Sequence, residues 1–476
     1  MIRYLKIKSL PLLVVSLLLT NFLTPDEGFA SIKDDGVLDR SIGNNGYIEL
    51  DDLLNTWSRV YPLKDGTLLI YGSQRSNFDS NSECESFAPR PLLLNTSNLG
   101  TLANIDFGKD LIDVIKANEA VQISDITQDK SENIYISGTI GEFERIDYEN
   151  GFGCSYKNRR LFIAKLTSDG NLNLEFGKPS GSNGILYLDT FQQIDLSSGY
   201  LTGIELLSES SIAISIIGNS DLDVLFLNAR DGSINEKLGN EGIISLEQQD
   251  LQIFQATRTE KGLVLSGDIK NSKDEDWILR WGITEIDNRG LETQRFKGQN
   301  NYQYSSGRKE GIYVPPVYKP PYIYFLNGVL NGATYDLKVT RIEQNGKMDY
   351  QYGGYLREDL LGIGVDPCSY CSGSYAVDNS NRILVSIGTN SFNESGSRKS
   401  ALVRLDNKGK IDRSFGDNGK LWVDIEYQAN IISINNLRYL IFGEQYSASN
   451  CSKSGEFCGF YKSRLAQFTQ LTKTGK

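Results

Sequence analysis

The chain has 476 residues, 39% hydrophobic and 23% charged, which is too apolar for wholesale disorder. Its 60 acidic against 49 basic side chains give a net charge of −11 with no basic block, a poor basis for nucleic-acid binding. It contains no histidine, so Ser-His-Asp and Cys-His catalysis and His-ligated zinc or copper are excluded.

From the N-terminus, residues 1–30 have the layout of a secretory signal peptide. Arg3, Lys6 and Lys8 form the basic start and Leu10 to Leu23 the apolar stretch. Gly28 and Ala30 are the small residues before a cut ahead of Ser31. The apolar run is interrupted by Ser16, Thr20 and Asn21 and falls short of the about 20 residues a membrane span needs. No later stretch is long and apolar enough to span. The expected location is therefore periplasmic or secreted, with residues 31–476 as a single domain.

Export makes disulfides the expected state of Cys84, Cys154, Cys368, Cys371, Cys451 and Cys458. Cys451 and Cys458 could clip one loop, and Cys84 and Cys154 could bridge neighbouring repeats; the connectivity stays open. The C-x-x-C of Cys368 and Cys371 lacks the βαβ surroundings of a redox motif. It also has no second C-x-x-C with which to complete a zinc site.

A repeated motif then runs down the chain. It is clearest in DGVLDRSIGNNG (35–46), DGNLNLEFG (169–177), DGSINEKLGNEG (231–242), NGKMDYQYG (345–353) and NKGKIDRSFGDNG (407–419). Degenerate copies lie at 99–108 and 289–298. The leading glycines Gly36, Gly100, Gly170, Gly232, Gly290, Gly346 and Gly409 recur at steps of about 63 residues. Their expected role is structural: positive φ in a tight turn, with the following Asp or Asn bonding the backbone.

Strand patterns recur around each motif. One apolar strand precedes it, as in 161–167, 223–229, 334–342 and 401–406. An earlier strand runs into glycine, as in 67–73, 133–139, 262–268 and 438–444. A third follows, as in 184–189 and 420–425. The one helical candidate is 109–117. Four short strands per unit, seven times over, predict an all-β, seven-bladed β-propeller with four-stranded antiparallel blades. The C-terminal strand SRLAQFTQLT is expected beside the N-terminal DDGVLD segment, closing the ring.

These motifs, with their approximate D-G-x-L-D-x-x-F-G-x-x-G pattern, resemble the delta-sixty β-propeller repeats of exported bacterial proteins. The match is close at 35–46, 231–242 and 407–419 and extends over essentially the whole exported chain. The resemblance implies an exported propeller and no particular reaction, and it carries over no catalytic residue.

Function is then sought where the repeat is broken. The 73–90 and 141–160 insertions are acidic, and together they could offer oxygens to Ca²⁺, although no D-x-D-x-D-G loop exists. Solvated surface acids are the favoured reading there, as they are for Asp221 and Asp223. The 299–325 insertion carries Tyr302, Tyr304, Tyr313, Tyr318 and Tyr322 among four prolines, a stiff aromatic surface for a sugar or protein. Packing of those rings on their own sheets is the favoured alternative. Ser306 and Lys309 form an S-x-x-K too short to specify acyl transfer. The expectation is a monomeric binding module for a protein or glycan partner, without cofactor. The alternative is a carbohydrate-active hydrolase or lyase with Asp/Glu catalysts at the central channel. Carboxylates meeting at the channel beside a Tyr or Arg would favour the latter.

Overall fold

The computed structural model describes residues 37–38, 40, 47–49, 59–64, 68–74, 90–96, 108–114, 119–148, 151–178, 184–191, 200–217, 222–246, 251–269, 280–299, 317–331, 334–343, 347–352, 355–356, 374–392, 398–425, 427–435, 438–448 and 459–469. The protein is all-β, and every strand pairing is antiparallel.

Strands β1 (Val37–Leu38) and β2 (Tyr47–Glu49) come first. Next, β3 (Arg59–Pro62), β4 (Leu68–Gln74) and β5 (Arg90–Thr96) make the first sheet. A short helix, α1 (Lys109–Val114), follows within the span expected to be helical. The second sheet is β6 (Glu119–Gln128), β7 (Ile134–Tyr148), β8 (Gly151–Leu166) and β9 (Ile185–Tyr187). The third is β10 (Tyr200–Ser208), β11 (Ser211–Ile217), β12 (Leu222–Asn228) and β13 (Ile243–Leu246). The fourth is β14 (Leu251–Thr259), β15 (Gly262–Ile269), β16 (Arg280–Asp287) and β17 (Glu292–Gln299). The fifth is β18 (Val317–Lys319), β19 (Tyr322–Asn331), β20 (Thr334–Glu343) and β21 (Tyr355–Leu356). The sixth is β22 (Ser374–Val377), β23 (Ile383–Phe392), β24 (Arg398–Leu405) and β25 (Lys420–Val423). In the last sheet β26 (Tyr427–Asn435), β27 (Arg438–Ala448) and β28 (Gly459–Thr469) are joined by β1 and β2, both paired to β28. Four strands thus hold for five of the sheets, while the last has five and the first has three among the described residues.

The pairing of the two chain ends is the one expected from the sequence: Val37 opposes Thr469 and Leu38 opposes Phe468. Tyr47 opposes Ala466, and its hydroxyl accepts the Asp424 N–H at 3.1 Å.

Alternation along the second strands explains how the sheets stack. On β7, Ile134 and Ile136 face a core shared with Leu69 and Tyr71 of the first sheet. Tyr135 between them faces a core shared with Ile204, Ile212 and Ile214 of the third. A strand buried on both faces needs a near-continuous apolar run, and these have one. The first strands of neighbouring sheets touch: β6 with β10, β10 with β14, β18 with β22, β22 with β26, and β26 with β3.

The repeated motif forms the turn between third and fourth strands. In the third sheet Gly232 N–H bonds Asn228 O and Asn235 N–H bonds Phe226 O, and Leu238 and Gly242 continue the tight winding. The same bonds recur around Gly409, Asp412, Phe415 and Gly419. Gly170, Gly232 and Gly409 have φ of 85°, 79° and 78°, as the turn reading requires; Gly36 and Gly346 lie outside the described residues. The motif also reaches sideways. Gly177 N–H bonds Asp231 O, and Gly239 N–H bonds Arg289 O, each linking one sheet's turn to the next. The degenerate copy at 289–298 keeps its leading turn at Gly290 (φ 74°) but then runs straight into β17, where Gly298, one residue past the place of the second motif glycine, pairs opposite Trp281.

Candidate functional site

The first strand of each sheet carries an outer edge with no backbone ladder partner, so its N–H groups must find other acceptors. Polar side chains supply them. Asp125 on β6 accepts the Ile204 N–H of β10 through Oδ2 at 3.1 Å, and its Oδ1 accepts the Ile126 N–H. Ser374 on β22 does the same for Ile431 of β26 at 3.1 Å. Bulges at matching points, between Ile123 and Asp125, Leu201 and Gly203, and Ile253 and Gln255, re-aim these side chains.

Tyr61 and, two residues beyond the bulge, Thr127, Glu205 and Thr257 occupy one register position on four adjacent first strands, opposite Leu69, Tyr135, Ala213 and Val264. Three of them converge. Thr127 Oγ1 donates to Glu205 Oε1 at 3.1 Å, and that oxygen also accepts the Leu206 N–H at 2.9 Å. The Tyr61 hydroxyl reaches Thr127 and the Gln128 backbone. Burial, with the nearby Asp125 carboxylate adding, pushes Glu205 up to about 7, although Leu206, Thr127 and Arg258 pull it down. Tyr61 is pushed up to about 12 by burial and by the charge of Glu205. Just beyond, Glu209 accepts the Lys130 N–H and pairs with Arg258 at 3.3 Å and Lys130 at 3.6 Å, tying the second, third and fourth sheets together. The result is a half-buried patch with two carboxyl groups, a phenol and a hydroxyl. One of its acids changes charge near neutral pH, an arrangement frequent at functional sites.

None of these residues stands out in the sequence as a candidate. The available signal was polar residues at alternate places in otherwise apolar strands, SDITQD and GIELLSES. The residues that do stand out fall elsewhere. Tyr318, expected on a contact surface, is 5% exposed and packs with Val264, Ile323 and Phe325. Tyr322 is half-buried, edge-on to Tyr324 and under the Arg341 guanidinium at 4.1 Å. Tyr302, Tyr304, Tyr313, Ser306 and Lys309 lie outside the described residues, as do Asp221, Cys84, Cys368, Cys371, Cys451 and Cys458. Cys154 stands on β8 opposite Arg145 of β7. Asp223 is half-buried and accepts the Ser245 hydroxyl at 2.6 Å. Among the described residues no group of three or more Cys, Asp or Glu is placed to hold a metal ion; residues 75–89 of the first acidic insertion lie outside the described residues. No helix among them is long and apolar enough to cross a membrane.

No protein-family profile and no curated protein matches the chain. Solved structures resemble it only distantly. A Synechocystis apocarotenoid oxygenase mutant is 10% identical over 77% of this chain and 74% of its own, with a TM-score of 0.36. Prolyl oligopeptidase B from Galerina marginata is 10% identical over 88% of this chain and 52% of its own, with a TM-score of 0.40. A GH43 endo-arabinanase from Bacillus licheniformis is 13% identical over 57% of this chain and 93% of its own, with a TM-score of 0.24.

Proposed function

We propose that the chain is an exported, seven-bladed β-propeller of the delta-sixty type that binds a glycan or protein partner at its central strands. Four observations support the ring. The motif turns link sideways from sheet to sheet, first strands touch at β6–β10, β10–β14, β18–β22 and β22–β26, β26 returns to β3, and the chain ends share one sheet. The Tyr61–Asp125–Thr127–Glu205 patch carries the functional reading. Carboxyl and hydroxyl groups grouped on rigid strands suit hydrogen bonding to a polyhydroxyl ligand, and the Tyr61 ring adds an apolar face.

The test is a glycan and peptide array probed with wild-type protein and with Tyr61→Phe and Asp125→Asn. A ligand retained by wild type and weakened about tenfold or more by either change, roughly one lost hydrogen bond to a charged group, supports the reading. Equal binding by all three proteins places the site elsewhere.

One observation favours a second reading, carbohydrate hydrolysis. Glu205, pushed up to about 7 by burial and with the Asp125 carboxylate nearby, has the raised pKa of a general acid. Sugar release from polysaccharides that disappears in Glu205→Gln would establish it; turnover unchanged by that substitution would remove it.

A further inference from the structure

The fold forces an unfavourable charge pair and leaves it little room to relax. Asp125 cannot swing away from Glu205, because its two oxygens hold the Ile126 and Ile204 N–H groups. Glu205 in turn is fixed by Thr127 and by the Leu206 N–H. The groups facing it come from three elements. They are Tyr61 on β3, Asp125 and Thr127 on β6, and Arg258 on β14. Of these, only Arg258 is cationic, and Glu209 already pairs with it. Tyr61 stays protonated through the neutral range and brings no opposing charge.

We propose that Glu205 is a proton-controlled strap between the first three sheets: when neutral it keeps its buried place beside Asp125 and holds β6 against β10, and when charged it is opposed first by burial and then by the Asp125 charge, which loosens those strands. The device needs no ligand, so it stands or falls separately from the binding proposal. The direction follows from linkage. A carboxyl raised from about 4.5 to about 7 binds its proton more tightly in the folded state. The stability it contributes is therefore full below about pH 4.5 and is lost as pH rises through about 7.

The experiment is hydrogen exchange on the whole exported chain from about pH 5 to about pH 8, corrected for intrinsic exchange rates, comparing segment 200–208 with segment 222–228. Protection of 200–208 is expected to fall with pH by up to about tenfold per unit, the limit for one proton, while 222–228 changes less. Glu205→Gln should abolish the extra slope. Asp125→Asn, which removes the repelling charge, should shrink the loss and bring its end to more acidic pH. It serves as the second variant if Glu205→Gln folds poorly. An unchanged slope in whichever variant folds, or parallel behaviour of the two segments in wild type, would overturn the proposal.

Discussion

At the scale of single residues, the repeat is enforced by space more than by chemistry. Gly290 has a φ of 74°, and a Cβ there would lie 2.7 Å from the Gly239 nitrogen and 2.9 Å from the Phe226 ring. That nitrogen belongs to the neighbouring turn and is already bonded to Arg289 O, so it cannot withdraw. Gly290→Ala therefore combines left-handed strain with a backbone clash. The expected loss is about 1–3 kcal/mol from the strain alone, measured by urea unfolding. A neutral result would mean that the turn relaxes and the sideways link is weak. Gly290 lies in the copy of the motif that the sequence matches least well, so its requirement shows what the pattern preserves when the rest decays.

At the scale of elements, one position near the end of each third strand repeats as a strut. Lys165, Arg341 and Arg404 occupy it in the second, fifth and sixth sheets. The Lys165 ammonium donates to Ala229 O at 2.9 Å, and the Arg341 Nη1 donates to Asn407 O at 3.0 Å; both carbonyls belong to the next sheet. Arg404 is fully buried, pairs with Asp412 at 2.8 Å and lies over the Phe415 ring. Burial pushes Asp412 up, but Ser414 and the Arg404 charge outweigh it and hold the carboxyl below its usual range. Phe226 takes the same place in the third sheet, so the position tolerates an apolar side chain when the partner acid is also absent. Arg404→Ala should cost about 1–3 kcal/mol, because it empties a fully buried place and takes the cation from half-buried Asp412. Arg404→Lys should cost less, since Lys165 already performs the task in a matching setting. Thermal unfolding of the two variants decides it; equal losses would mean that the planar guanidinium, and not the charge, is what the site needs.

These elements also mark what the sequence could disclose. Strand positions, motif turns and the pairing of the chain ends follow from local patterns: apolar alternation, glycines at fixed spacing and a motif interrupted at the chain ends. The first-strand patch does not. Tyr61, Asp125 and Glu205 belong to three different repeats and meet only because three first strands, two of them bulged, bring them together. A bulge shifts side-chain facing by one residue without a local signature. Tyr318 follows the favoured packing alternative, though a tyrosine among prolines does not show it until its cross-strand partner, Ile323, is known to lie in the core.

At the scale of the whole molecule, a ring of sheets is only as stable as its last joint. In the proposed ring that joint is the pairing of β1 and β2 with β28, and it brings more than backbone bonds. Leu38 and Tyr47 pack into the core between the sixth and seventh sheets, among Phe415, Ile425 and Tyr439. Removing residues 31–49 should uncover that core and leave the outer edge of β28 free to pair with another chain. The shortened protein is expected to melt at lower temperature and to form oligomers in size-exclusion chromatography. Adding a peptide of residues 31–49 in trans should restore the monomer. Tyr47→Phe separates the contributions, because it keeps the ring but removes the hydroxyl that accepts the Asp424 N–H, and should cost about 0.5–1.5 kcal/mol without oligomers. A shortened chain that stays monomeric and melts like the full one would place the closure elsewhere and reduce the β1 and β2 pairing to decoration of an already complete ring.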